Sequence, residues 1–597
     1  MKKIPERSEI AQKDKWALED LYPSVEQWQE DLNKLQAQGR ALAAYAGKLH
    51  ASAEYLLAYM RLNDQTTVLY DALGNYAHRK NDEDTRTPEG QALLGQLMKT
   101  GVELGEQTSF EVPELLSISD ETMEQFYKQV PELELYRRHF DVIRRRRPHV
   151  LSEKEEKLLA ASGEMASAPH RIFSLFSDAD LKFPDALDAE GMAHQVTQGT
   201  YVSCMKSEDR TLRKNTFDSY YGVYADYQNS LAGMLSAQVK QLEFFAKARN
   251  YKSAQEAALD ATEVPVSVYS NLIEAVHRNM EKMHRYTRLR KRLMGVNALH
   301  FYDLYTSLLP DVDVQIPYEQ AKTTVAEALR CLGPEYGRIL QEGFDSRWID
   351  VYENVGKRSG AYSAGALVHP FVLLNYTGTL DSQFTLAHEM GHALHSYFSN
   401  HTQPTVYQDY VIFVAEVAST CNEALLMQHL LKKTTDKRER AYLINYFLEQ
   451  FRTTLYRQTM FAEFELRIAE LSAQGQTLTA ELLCSEYRKL NAVYYGPDIV
   501  LDDEIALEWA RIPHFYYNYY VFQYATGYSA AIALSQRILA EGEPAVKDYL
   551  GFLSGGCSKT PIELLRGAGV DMTTPQPVES ALALFGALLD EMEALLL

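Results

Sequence analysis

Apolar residues recur at helical spacing along most of this chain. Residues 53–79 and residues 440–471 repeat apolar positions every three or four residues, whereas runs that alternate with period two are few. The pattern predicts a mainly α-helical protein with a small β-sheet.

One helix start can be placed from its capping residues. In "PHVLSEKEEKLLA", Pro148 ends the preceding arginine-rich segment, Ser152 is a good N-cap, and Glu155 follows three residues later. This pattern is typical of a capping box. We expect a new helix to begin directly after Ser152.

The best strand candidate covers residues 366–378, "ALVHPFVLLNYTG". It is rich in β-branched and aromatic residues and is flanked by glycines. Pro370 restricts its part of the segment to a sheet edge or a turn. An exposed edge could pair with an extended peptide; the alternative is a strand that is already paired on both sides. The sequence leaves both possibilities open.

The chain of 597 residues is long enough for two or more lobes. No repeat or flexible linker separates them, but the helical pattern weakens shortly before residue 200. We predict a helical N-terminal lobe at residues 1–200 and a second lobe at residues 201–597, which holds the candidate chemistry described below.

Composition narrows the functional classes. Hydrophobic residues make up 46% and charged residues 24%, as in globular proteins. A net charge of −21 disfavours nucleic acid as a partner, and no run of about eighteen apolar residues predicts a membrane span. The first residues lack the apolar core of a secretory signal, and five scattered cysteines suggest no disulfide framework. We expect a cytoplasmic protein without a nucleic-acid or membrane partner.

The segment "FTLAHEMGHALHSYF" contains an H-E-x-x-H motif inside a helical pattern. His388 and His392 are four residues apart and therefore share a helix face, where both can reach one metal ion. Glu389 lies about 100° around the helix, too far to be a third ligand but well placed to act as a general base. The pattern predicts a hydrolytic zinc site.

A catalytic zinc ion needs a third protein ligand. His395 is too far along the helix, since seven residues rise about 10.5 Å. The chain also lacks the glycine and third histidine of the metzincin motif, which would occupy positions 395 and 398. In "VIFVAEVASTCNEALL", Glu416 and Glu423 lie seven apart on one helix face. One could bind the metal while the other accepts a hydrogen bond from a ligating histidine; their spacing does not decide which.

A second candidate segment is "RIPHFYYNYYVFQYATGY", residues 511–528, with one histidine and six tyrosines. Imidazole and phenol groups can donate hydrogen bonds to the oxyanion that forms when water attacks a peptide carbonyl. His514, Tyr520 and Tyr524 are the principal candidates, because we expect the two tyrosines four apart to share a helix face. Tyr519 and Tyr528 are the next candidates, and the other reading of the segment is an aromatic core stripe.

These motifs together resemble a known family. "TLAHEMGHALH", "FVAEVAST" and "IPHFYYNYYVFQYATG" occur in the order found in the zinc oligopeptidases of the thimet oligopeptidase and neurolysin group, and most closely in oligoendopeptidase F. Segments along nearly the whole chain share the likeness, among them "KWALEDLYPSVEQW", "TMFAEFE" and "FLSGGCSKTPIELLRGAGVDM".

The resemblance assigns roles to particular residues. It implies one zinc ion per chain held by His388, His392 and Glu416, with Glu389 as the general base. Glu423 would then support a histidine. His514 matches the family's transition-state histidine. The matching tyrosine is less defined, because the spacing from histidine to tyrosine is one residue longer here than in the thimet branch, so the oxyanion donor remains open among Tyr519, Tyr520, Tyr524 and Tyr528.

The resemblance also implies a fold and a substrate class. The family fold is a two-lobed helical clamshell around a deep channel, which would restrict substrates to short unfolded peptides. Two alternatives remain: a zinc peptidase with an open cleft that also cuts folded proteins, and a non-catalytic peptide-binding protein with a vestigial zinc site.

Overall fold

The computed structural model describes residues 4–309 and 315–596. Helices dominate it, as the periodicity predicts. The α-helices in chain order are α1 Val25–Ala43, α2 Ala53–Glu83, α3 Pro88–Thr108, α4 Glu111–Ser117, α5 Asp120–Gln129, α6 Arg137–Arg145, α7 Glu153–Ala161, α8 Gly163–Leu175, α9 Tyr201–Met205, α10 Arg210–Ala248, α11 Ala254–Asp260, α12 Val266–Arg278, α13 Met280–Leu293, α14 Tyr318–Ala328, α15 Gly333–Asp345, α16 Leu380–Thr402, α17 Ile412–Lys433, α18 Lys437–Gln450, α19 Arg457–Ala473, α20 Ala480–Tyr495, α21 Phe522–Glu541, α22 Glu543–Leu553, α23 Pro561–Gly567 and α24 Gln576–Leu596.

Two sequence predictions about helices are confirmed. Helix α7 begins after Ser152, whose side chain accepts from the backbone N–H of Glu155 while the Glu155 carboxylate accepts from the Ser152 N–H. The periodic segment 440–471 is helical throughout, although a π-helical stretch at Phe451–Tyr456 joins α18 to α19.

The strands are short and form three small sheets within the described residues. In chain order they are β1 Ala186–Leu187, β2 Ala193–His194, β3 Leu299–His300, β4 Ile349–Asp350, β5 Tyr362–Ala364, β6 Phe371–Leu373 and β7 Ile499–Val500. β1 pairs antiparallel with β2, and β3 pairs parallel with β7.

The sheet next to α16 has the order β4–β6–β5. β6 pairs parallel with β4, where Ile349 lies opposite Val372, and antiparallel with β5, where Tyr362 lies opposite Leu373. The predicted strand at 366–378 is thus shorter than expected and begins directly after Pro370, which has no N–H to donate to a ladder. It is paired on both sides, so the edge alternative is wrong for this strand; the edge strands of the sheet are β4 and β5.

The chain divides into two compact units, each made of segments distant in sequence. The first contains Met1–Pro148, Val314–His429 and Leu534–Val570, and the second contains His149–Asp313, Leu430–Ala533 and Asp571–Leu597. The division of function between residues 1–200 and 201–597 stays a proposal, as does the clamshell with its channel.

The first unit is built on two apolar clusters. One joins α1, α2, α5 and α6 through buried side chains that include Leu42, Leu56, Met60, Phe126 and Phe140. The other joins α1–α3 to the sheet through Trp16, Trp28, Leu73, Phe371 and Leu373. Because β6 is anchored in this second cluster and the sheet also packs on α16, the helix with the H-E-x-x-H motif lies on a rigid support.

No helix in residues 4–309 or 315–596 combines the length and apolar character needed to cross a lipid bilayer.

Candidate active site

Helix α16 has a well-defined start. Gly378 adopts a positive φ of 82°, which favours glycine, and Thr379 follows as N-cap. The Thr379 hydroxyl accepts from the Ser382 N–H at 3.1 Å. Since the helix then runs unbroken to Thr402, His388 and His392 present their rings from consecutive turns of one face.

Helix α17 crosses α16 at very short range. A Cβ on Gly391 would lie 2.5 Å from the Ser419 Cα and 2.8 Å from the Ala418 carbonyl oxygen, so only glycine permits this approach. One turn away, the buried Asn422 amide donates to the Ala387 carbonyl at 3.0 Å. Asn422 in turn accepts from the Tyr336 hydroxyl of α15 at 2.9 Å. These contacts fix the position at which α17 meets the motif.

The crossing brings His388, His392 and Glu416 together. The two histidine Nε2 atoms are 3.2 Å apart, and each lies 3.4 Å from Glu416 Oε2. Four tetrahedral ligands at roughly 2.0–2.1 Å from zinc lie about 3.3 Å from one another. The three atoms therefore have the spacing and chemistry of three zinc ligands, and among the described residues this is the one cluster of its kind.

Two of the ligand candidates, His388 and Glu416, have a further polar neighbour. Glu423 Oε1 lies 2.6 Å from Nδ1 of His388, which leaves Nε2 of that ring directed at the cluster. The Ser419 hydroxyl lies 3.3 Å from Glu416 Oε2 and donates to the Glu416 carbonyl at 3.0 Å. The geometry thus distinguishes the two glutamates, which their sequence spacing could not: Glu416 contacts the Nε2 atoms, and Glu423 contacts Nδ1 of His388.

The contacts among these side chains shift the pKa values of His388 and Glu416 in opposite directions. Burial lowers the pKa of His388, but its hydrogen bonds with Glu416 and Glu423 outweigh burial and bring the pKa well above its ordinary value. For Glu416, burial favours the neutral acid, yet its bonds to both histidines hold the pKa well below the usual range. A metal ion must therefore displace a proton from His388.

Glu389 has the properties of a general base. Its side chain is buried, and burial raises the pKa of its carboxyl above the ordinary value. Among the described residues Oε2 has no hydrogen-bond partner. A buried carboxylate with a raised pKa and a free oxygen is disposed to accept a proton from a water molecule.

His395 lies outside this cluster. Its ring is fully buried and stacks on Tyr410 at a centroid distance of 3.7 Å. Burial lowers the pKa of His395 to about 3, so the ring stays neutral.

The second unit holds the histidine–tyrosine group. His514 lies in the 3₁₀ helix Pro513–Tyr516, with Nε2 3.3 Å from the Tyr524 hydroxyl. The Tyr520 ring lies 6.3 Å from the His514 ring and 5.3 Å from the Tyr524 ring. Burial lowers the pKa of His514, so its imidazole is neutral near pH 7 and can donate a hydrogen bond.

The helical relation predicted for the two tyrosines is wrong. Tyr520 precedes α21, which begins at Phe522, because Asn518 and Tyr519 adopt positive φ values of 54° and 55° and end any regular helix there. Tyr520 and Tyr524 nevertheless lie side by side. The other two candidates, Tyr519 and Tyr528, are buried, whereas His514, Tyr520 and Tyr524 are partly accessible.

Comparison with known proteins gives the family. Residues 203–584 match Peptidase family M3, and residues 114–183 match Oligopeptidase F. The chain belongs to peptidase family M3. Oligopeptidase PepF of Bacillus subtilis is 46% identical over 595 residues, which cover 100% of this chain and 89% of that protein. An oligoendopeptidase F homologue of Lactococcus lactis is 41% identical over 99% of this chain and 98% of its own.

Solved structures agree with this family assignment. Oligoendopeptidase F from Enterococcus faecium superposes with a TM-score of 0.74 at 38% identity, covering 96% of this chain and 99% of its own. A protein from Chlamydophila abortus superposes with a TM-score of 0.93 at 36% identity, over 99% and 100% of the two chains. The predicted fold class and the resemblance to oligoendopeptidase F are confirmed, and the chain is a metalloendopeptidase of family M3.

Sequence reasoning missed three residues that assemble the site. Gly391, Asn422 and Tyr336 bind no metal but set the crossing of α16 and α17. Asn422 carried a signal, since an amide inside the apolar stretch "STCNEALL" must find a buried partner. Tyr336 carried none.

Proposed function

We propose that the protein is a zinc-dependent endopeptidase that hydrolyses internal bonds of short, unfolded oligopeptides. The observation that carries the proposal is the triangle of 3.2, 3.4 and 3.4 Å among His388 Nε2, His392 Nε2 and Glu416 Oε2. Its sides match the ligand spacing of a tetrahedral zinc ion, so these three residues would hold one ion per chain. When bound, zinc supplies an acidified water and polarises the scissile carbonyl.

The residues around this site have distinct tasks. The Glu389 carboxylate takes a proton from the attacking water and delivers it to the departing amine. Glu423 keeps the His388 ring in one tautomer and orientation, and Ser419 holds the Glu416 oxygen. From the resemblance, we assign stabilisation of the oxyanion to His514 together with Tyr520 or Tyr524.

β5 is the candidate for holding the peptide backbone. It lies at the edge of its sheet and has β6 on one side only. An extended peptide could add to that edge through main-chain hydrogen bonds, which read no side chain and would allow varied sequences.

The substrate class rests on the family. Relatives that match nearly the whole chain are named oligopeptidase and oligoendopeptidase. Digestion of a decapeptide and of intact casein under the same conditions tests the length limit. We expect cleavage of the decapeptide alone; comparable cleavage of casein would favour the open-cleft alternative.

The vestigial alternative predicts a damaged ligand set, but His388, His392, Glu416 and Glu389 are all present, and the first three lie close together.

The decisive variant is Glu389→Gln, which keeps the size of the side chain and removes the base. We expect zinc content to stay at one ion per chain while turnover falls by at least about 10³-fold. Full peptide cleavage by this variant would refute the mechanism.

A further inference from the structure

Glu465 of α19 is a buried carboxyl in direct contact with the segment that carries the histidine–tyrosine group. Its side chain is 6% exposed. Oε1 accepts a hydrogen bond from the Tyr519 backbone N–H at 2.8 Å, and among the described residues Oε2 has no hydrogen-bond partner. A buried carboxyl with a single bond to a loop is costly to retain for stability alone.

The contacted backbone is unusual. Asn518 and Tyr519 both lie in the left-handed region, at φ values of 54° and 55°. Asparagine tolerates this conformation, but it is uncommon for a bulky residue such as tyrosine and persists only where surrounding contacts enforce it.

This turn connects the proposed oxyanion donors. His514 precedes it in the 3₁₀ helix Pro513–Tyr516, and Tyr520 and Tyr524 follow it. The conformation of Asn518 and Tyr519 therefore sets how the tyrosines meet His514, including the 3.3 Å separation between His514 Nε2 and the Tyr524 hydroxyl.

The support beneath the turn is rigid. The Tyr269 ring packs on Tyr519 at 5.9 Å and on Phe522 at 4.9 Å. The Tyr269 hydroxyl donates to the Ala462 carbonyl of α19 at 2.6 Å, one turn before Glu465. Burial raises the pKa of Glu465 to about 8, so near neutral pH the carboxyl is mostly uncharged and adds little charge beside the donors.

We propose that Glu465 is a positioning residue for peptide hydrolysis: Oε1 holds the Asn518–Tyr519 turn and thereby places Tyr520 and Tyr524 against His514. This inference rests on the proposed role of His514 in stabilising the transition state. Glu465 itself touches neither substrate nor metal ligands in this account.

The test compares variants that keep or remove the acceptor. Glu465→Met fills similar space without an oxygen. We expect kcat for a fluorogenic peptide to fall at least tenfold, because misplaced donors stabilise the transition state less while substrate binding is unchanged. KM and zinc content should stay within about twofold. Glu465→Gln retains a carbonyl oxygen at the same reach and should keep kcat within about threefold of the wild type.

The control is Glu463→Met on the same helix. The Glu463 carboxylate accepts from Tyr494 at 2.7 Å and lies 2.7 Å from His277, and neither partner belongs to the turn. We expect kcat to be unchanged in this variant. Should Glu465→Met fail to fold, Glu465→Asp replaces it. Its carboxyl is kept but is one methylene too short to reach the Tyr519 N–H. We therefore expect kcat still to drop, while the melting temperature stays near that of the control.

His514→Ala separates failure of the inference from failure of the proposed function. If His514→Ala leaves kcat unchanged, the role of His514 is wrong. If it lowers kcat but the Met or Asp variant of Glu465 does not, the inference is overturned. In the double variant with His514→Ala, the loss of kcat caused by Glu465→Met should shrink to about twofold or less. A full, additive loss of kcat in the double variant would contradict the positioning role. Equal losses of kcat in Glu465→Gln and Glu465→Met would also contradict it.

Discussion

The crossing of α16 and α17 at Gly391 gives the sharpest prediction about how the site is built. In Gly391→Ala, the new Cβ would lie 2.5 Å from the Ser419 Cα, whereas ordinary contacts begin near 3.4 Å. The obstacle is backbone, which cannot rotate away as a side chain can. The helices must therefore separate locally by about 0.9 Å.

That separation acts directly on the metal cluster. Gly391 lies between the two histidines on one helix, and Ser419 lies one turn after Glu416 on the other. A shift near 1 Å exceeds the tolerance of roughly 0.5 Å within which a functional constellation must be held. We expect zinc affinity and kcat/KM each to fall at least tenfold, and overpacking to destabilise the fold by about 1–3 kcal/mol.

The assay is zinc affinity by competition with a chromophoric chelator, together with peptide hydrolysis and thermal unfolding. Gly551→Ala in α22 is the matched control, because nothing lies within 4 Å of its Cβ position; we expect it to bind zinc and cleave peptides as the wild type does. Wild-type affinity and activity in Gly391→Ala would refute the argument that close helix approach assembles the site.

Three further predictions follow from the same region. Glu423→Ala should lower zinc affinity about 10–100-fold by releasing Nδ1 of His388, measured by the same competition assay. Asn422→Leu should destabilise the fold by about 2–3 kcal/mol in urea unfolding, since it leaves the buried Tyr336 hydroxyl without its acceptor and removes the bond from Asn422 to the Ala387 carbonyl. In the metal-free protein the pKa of His388 is raised, so the contribution of its protonated form to stability is complete below about pH 6.5 and is lost as pH rises through the folded-state pKa. Removing zinc should therefore cost less stability at pH 6 than at pH 8. The opposite order in thermal scans would contradict a raised pKa for His388 in the metal-free protein.

The sequence predicts the histidine helix well because its decisive relation is local. Four residues along a helix place His388 and His392 on one face in any surroundings. The relation of Glu416 to Glu423 is not local. Both lie on one face of α17, and the point at which α17 crosses α16 decides which carboxylate lies against the Nε2 atoms.

The difference between local and tertiary contacts also explains why the sequence did not predict the turn before α21 or the two compact units. Tyr520 and Tyr524 have helical spacing, but a tertiary contact from Glu465 holds Tyr519 in a left-handed conformation that local propensity disfavours. Periodicity likewise does not reveal the two compact units, because each combines segments that are not contiguous in the sequence.

Reconstitution of the metal-depleted protein with zinc shows whether His388, His392 and Glu416 form the metal site on which cleavage depends. Wild-type protein and Glu416→Ala are titrated with zinc while bound metal and peptide cleavage are measured in the same samples. We predict that the wild type binds one zinc ion per chain and regains cleavage in proportion to the zinc bound, and that Glu416→Ala binds far more weakly and stays inactive. Full cleavage by metal-depleted wild-type protein, or wild-type zinc binding and cleavage by Glu416→Ala, would contradict zinc-dependent hydrolysis at this site.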